Sequence, residues 1–81
     1  MDVTARYHGI IGDMLERKGE TVTLADDATV GDLLQYLTAG DETVAAILKQ
    51  TRPFIDGHQA DRASALQDGA EVIFMRPIAG G

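Results

Sequence analysis

The stretch TVGDLLQYLTAG, residues 29–40, constrains the fold more than any other part of the chain. Val30, Leu33, Leu34 and Leu37 recur at the spacing of one helical face, which predicts a helix with a single apolar side. Thr29 and Asp32 form a capping-box pair at its start, and Gly40 suits a left-handed stop at its end. A helix that is apolar on one side must lay that side on another layer. Much of the remaining apolar content can supply that layer, because it alternates with polar residues at the period of a strand.

Met1, Val3, Ala5 and Tyr7 share one strand face, with Asp2, Thr4, Arg6 and His8 on the other. In ETVTLA, Val22 and Leu24 repeat the pattern. The intervening GIIGDMLERKG, bounded by Gly9 and Gly19, reads as a loop or short helical turn. The two strands then form an antiparallel pair with a wide connection. Asp41 can cap a second, shorter helix with Val44, Ile47 and Leu48 as its apolar face. In PFIDGHQA, Asp56-Gly57 lies between extended segments and predicts a hairpin. Leu66 reads as a buried anchor in a turn, and EVIFM, residues 71–75, as the last strand.

The resulting order is strand, strand, helix, second helix, strand, short strand, strand. The first and last strands are expected side by side and parallel in the middle, their right-handed crossover including the main helix. This is an α+β fold of β-grasp, or ubiquitin-like, type: a small mixed sheet with one main helix packed on one face. Residues 1–76 are expected to form the domain and residues 77–81 a flexible C-terminal Gly-Gly tail.

A chain of 81 residues supports one domain with a modest core, and leaves little room for an enclosed catalytic site. Without cysteine there are no disulfides, thiolate metal sites or cysteine nucleophiles, and the expected compartment is the cytoplasm. No apolar run reaches the ~18 residues of a membrane span, and MDVTARY lacks the character of a signal peptide. The net charge of −6, with scattered Lys and Arg, argues against nucleic acid partners. That acidity reads as a source of solubility, with steering toward a basic partner surface as the alternative.

Side-chain chemistry is sparse. There is no phosphate-binding Gly-rich loop, and Ser64 is the sole serine. His8 and His58 have no metal-ligand companions at useful spacing and read as surface residues. Asp26, Asp27 and Asp32 read as a polar loop and a helix cap rather than a cation site. No metal or stably bound cofactor is expected, and the chain does not read as a free-standing enzyme.

Two features remain. In EVIFM, Val72 and Phe74 can enter the core while Ile73 and Met75 face the other way, as a partner patch or beneath a covering loop or the second helix. The strand then runs into RPIAGG. Pro77 stops the strand. Gly80 and Gly81 have no Cβ, so they can thread a narrow channel and present a bare α-carboxylate to another protein's active site.

These pieces resemble the MoaD/ThiS group of β-grasp sulfur carriers over nearly the whole chain. VTARYHG matches as opening strand, VTLADDATVGDLLQYL as second strand and helix, FIDGHQ as hairpin, LQDGAEVIFM as turn and last strand, and PIAGG as tail. The resemblance implies that Gly81 is adenylated by a ubiquitin-activating-type enzyme, which uses ATP, and is converted to a thiocarboxylate. It further implies partner contacts through Ile73, Met75, Arg76, Pro77 and Ile78. The tail is closer to MoaD-like than to ThiS-like members, which implies a larger, MoaE-like synthase subunit and molybdopterin synthesis. Sulfur delivery for thiamine or cysteine synthesis, conjugation to proteins through Gly81, and a plain β-grasp binding module are the alternatives. Met75 and Arg76 depart from the family tail, where an aromatic and a proline are common.

Overall fold

The computed structural model of the 81-residue chain describes residues 1–77. Five strands and three helices follow in order: β1 (Asp2–Tyr7), α1 (Ile10–Leu15), β2 (Gly19–Thr23), α2 (Val30–Thr38), α3 (Glu42–Leu48), β3 (Arg52–Ile55), β4 (His58–Gln59) and β5 (Glu71–Met75). The sheet order is β2-β1-β5-β3-β4. β1 and β5 are parallel neighbours, and the other pairings are antiparallel. This is the expected mixed β-grasp sheet, with the first and last strands adjacent near its centre.

Strand alternation divides the sheet into two unlike faces. Val3, Ala5, Tyr7, Val22, Val72 and Phe74 turn inward and are buried. Val30, Leu33 and Leu37 of α2 and Val44, Ile47 and Leu48 of α3 enter the same core, and Leu66 closes one side of it as anticipated. Full burial of each large apolar side chain contributes about 1.5–3 kcal/mol, so this shared core is what holds the short helices. The capping box at α2 is formed, with Thr29 Oγ1 accepting from the Asp32 amide at 3.3 Å and Asp32 Oδ2 accepting from the Thr29 amide at 2.9 Å. Asp41 caps α3 by accepting from the Val44 amide at 3.0 Å.

The Asp56-Gly57 turn has φ of 52° and 79°, both left-handed, as a two-residue hairpin requires between Ile55 and His58. Such angles cost Gly little, and Asp tolerates them better than most residues.

One element is more regular than the sequence suggested. The Gly9–Gly19 segment forms the six-residue helix α1, which buries Ile11 and Leu15. It has no side-chain N-cap, and its length is marginal for an isolated helix. Ile11 and Leu15 stand one turn apart and reach the core together, so tertiary burial supports what local propensity does not. Among the described residues the helical layer therefore holds three helices, α1 joining the main helix and the shorter second helix that the sequence predicts.

Candidate functional site

β5 is the element on which the site is built. It lies between β1 and β3, so its position is set from both sides. Val72 and Phe74 are fully buried, while Ile73 and Met75 are half-buried on the opposite face. All three helices contribute to the core beneath the inner face, which leaves the outer face without a helical cover among the described residues. Neither the second helix nor a described loop brings Ile73 and Met75 into the core.

The strand register shows what surrounds them. Ile73 stands opposite Arg6 on one side and Phe54 on the other, and Phe54 stands opposite Gln59. Met75 stands opposite Arg52. Phe54, half-buried and not part of the core, joins Ile73 and Met75 in an apolar strip across the outer face. Phe54 escaped the sequence reading because its neighbours Pro53 and Ile55 are also apolar, so no alternation marks its direction.

The end of β5 is held firmly. The His8 amide donates to the Phe74 carbonyl at 3.0 Å, extending the parallel ladder one step past β1. Beneath it, the Tyr7 and Phe74 rings stack with centroids 6.2 Å apart. The Tyr7 hydroxyl donates to Glu20 Oε2 at 2.6 Å, and Arg17 Nε donates to the same oxygen at 2.8 Å. The Arg17 guanidinium also lies 5.7 Å from the Tyr7 ring centroid. Burial, followed by the hydrogen bond and charge of Glu20, pushes the Tyr7 phenol well above its ordinary pKa. It stays a neutral donor, and the latch ties the 16–20 segment to the strand end beside the exit. Nothing in the sequence pattern pointed to this trio.

Arg76 and Pro77 follow β5 and are exposed. Ile78, Gly80 and Gly81 lie outside the described residues. His8 is exposed after β1, and His58 is exposed in β4. Among the described residues, no three His, Asp or Glu side chains gather as a metal would require. A groove of about 940 Å³ opens beside the exit, with Arg6, Arg17 and Lys18 but also Asp13, Glu16 and Glu20 in its lining. Among the described residues, no helix is long and apolar enough to cross a membrane. The arrangement presents an apolar strip bordered by cations, next to the point where the chain leaves the sheet.

Comparison with known proteins agrees with this topology. The model of the ThiS family matches residues 9–81. The chain belongs to the ThiS family. Its relatives include small archaeal modifier protein 3 of Haloferax volcanii, 30% identical over an alignment that covers all of both chains. Among solved structures, SAMP1 from Haloferax volcanii superposes with a TM-score of 0.83 at 19% identity, covering all of both chains. Subunit 1 or 2 in a complex of molybdopterin-converting factor from Helicobacter pylori gives 0.73 at 23% identity, again over all of both chains. ThiS-family membership places this chain in a family of small ubiquitin-like modifier and carrier proteins.

Proposed function

We propose that this chain is a sulfur carrier whose terminal glycine, Gly81, is the reacting group. An activating enzyme of ubiquitin-activating type binds the outer face of the sheet and receives Gly80 and Gly81 in its nucleotide site. The Gly81 carboxylate attacks the α-phosphorus of ATP, and pyrophosphate leaves. A sulfide-level donor then attacks the acyl carbon, AMP leaves, and the terminus becomes a thiocarboxylate. The ATP belongs to the partner enzyme. The side chains of this protein bind and orient, and the chemistry runs on its main chain.

The observation that carries this reading is the apolar, outward Ile73 and Met75 on the strand that leads into the Gly-Gly end. Arg76, Pro77 and Ile78 continue the contact toward the partner. Molybdopterin synthesis, with a larger synthase subunit as sulfur-accepting partner, is the preferred pathway. It is supported by the PIAGG ending and by the likeness to the Helicobacter complex. The same reading places the protein in the cytoplasm, where ATP and the activating enzyme meet.

A second reading is attachment of Gly81 to lysines of other proteins, favoured by the modifier relative. Incubation with ATP, the activating enzyme of the same organism and a sulfur donor tests the first. Intact mass should rise by one sulfur-for-oxygen exchange, located at Gly81. An unchanged mass with an active enzyme refutes the carrier. Isopeptide-linked conjugates in cells without any thiocarboxylate support the modifier instead.

A further inference from the structure

We propose that the outer sheet face recognises a partner surface whose apolar spot is bordered by carboxylates, with Arg6 and Arg52 as the residues that read them. This rests on the carrier reading above and names the chemistry of the partner it requires.

The charges of this acidic chain are sorted along the strands. β1 and β5 run parallel and end at the tail exit, while β2 and β3 run the other way and begin there. Arg6, Arg17, Lys18, Lys49, Arg52 and Arg76 therefore lie at or beside the exit end. The remaining basic residue, Arg62, sits at the far end, where its carbonyl accepts from the Gly31 amide at 2.9 Å near the start of α2. Asp2 at the start of β1, Asp26 after β2, Asp56 in the hairpin turn and Asp68 before β5 mark that far end as acidic. A net charge of −6 thus conceals a cationic pole around the tail.

On the outer face this pole borders the apolar strip directly. Arg6 flanks Ile73 from one neighbouring strand, and Arg52 flanks Met75 from the other. With strands about 4.8 Å apart and a two-residue offset along them, the two arginine backbones are about 12 Å apart on the sheet. Glu71 engages Arg6 at 3.4 Å, whereas Arg52 is in no ion pair among the described residues. Of the acidic side chains at the exit end, Glu20 is held by Tyr7 and Arg17, while Asp13 and Glu16 line the groove beside Arg6. With Glu71 paired to Arg6, Arg52 is the less compensated cation of this face.

Guanidinium forks match planar oxyanions, and two of them around an apolar strip fit a protein surface with paired Asp or Glu. A nucleic acid would also offer oxyanions, but it would meet the acidic far pole and gains nothing from the strip. The polarity also sets direction. A carboxylate-bordered partner attracts the exit end and repels the opposite one, so the tail arrives first.

The test measures ATP–pyrophosphate exchange by the ubiquitin-activating-type enzyme of the same organism, with this chain as substrate, over a range of salt. Arg52→Glu and Arg6→Glu are compared with Arg62→Glu, which changes net charge equally at the far pole. Thermal melting confirms that all three remain folded. Arg52→Glu should raise KM about tenfold at low salt with kcat unchanged, and the difference should shrink as salt rises. Arg62→Glu should stay within about twofold of the parent. Equal losses for Arg52→Glu and Arg62→Glu, or no loss for Arg52→Glu, would overturn the proposal while leaving the carrier reading intact. So would inhibition of the parent by added tRNA that Arg52→Glu abolishes. A parent chain that the enzyme never activates would remove the carrier reading and this inference together.

Discussion

Adjacent residues of β5 should behave in opposite ways. Phe74 is fully buried and stacks on Tyr7, whereas Ile73 is half-buried and lies outside the core. Phe74→Ala removes the largest of the fully buried side chains, at a cost of about 3–5 kcal/mol. A domain of this length has roughly 4–12 kcal/mol in total, so this one change threatens the fold. Where the variant still folds, its Tm should fall by at least about 12 °C, at ~4 °C per kcal/mol. Ile73→Thr keeps the β-branched shape at the centre of the sheet and should cost no more than ~1 kcal/mol. Its effect should fall on docking. Replacing two apolar groups by a hydroxyl removes about 1.6 kcal/mol if the partner buries them fully, or roughly fifteenfold in Kd. Urea unfolding of both variants, with titration of Ile73→Thr against the activating enzyme, measures the two effects separately. Equal destabilisation by both would mean that Ile73 is covered and the outer face is not a docking face. A loss below ~1 kcal/mol for Phe74→Ala would refute its place in the core.

Three further outcomes follow from the same geometry. Thr29→Ala removes the α2 cap and should cost about 1 kcal/mol, seen as a lower urea midpoint with an unchanged m-value. Gly19→Ala would place a Cβ 2.5 Å from the Ala5 carbonyl. The β1–β2 ladder must therefore shift, and amide chemical shifts of residues 5–7 and 18–20 should move well beyond those of the rest of the sheet. Tyr7→Phe removes the hydroxyl that Glu20 accepts, at about 1 kcal/mol, and should also alter the alkaline limb of stability. Folding raises the Tyr7 pKa, so its contribution is complete below the unfolded value of about 10 and is lost as pH rises beyond it. Stability should fall less steeply above pH ~10 in the variant, and an identical alkaline slope would place Tyr7 outside the buried network.

Much of this protein was legible because local patterns and the global fold agree. The Thr29–Asp32 cap, the Asp56-Gly57 turn and the alternation in β1 each carry a short-range physical reason, and all are realised. The two-sided apolar character of β5 also turned Ile73 and Met75 away from the core, as a partner patch or beneath a cover, and the structure leaves both half-buried outside the core. Where signals were short or ambiguous, sequence fell silent. α1 has no side-chain cap and only six residues, so burial of Ile11 and Leu15 decides it. Phe54 sits among apolar neighbours, so only the β3–β5 register places it beside Ile73. Tyr7, Arg17 and Glu20 meet because the β1–β2 connection folds back over the strand end.

By itself, then, the sequence determined the elements, the capping and turn chemistry, and a strand apolar on both sides that runs into two glycines. These depend on neighbours within a few residues. The tertiary structure alone decided which face stays open, which cations border it, and that an acidic chain carries a basic pole at its tail. Those depend on strand direction and register, which bring Arg6, Arg52 and Ile73 together from distant parts of the chain.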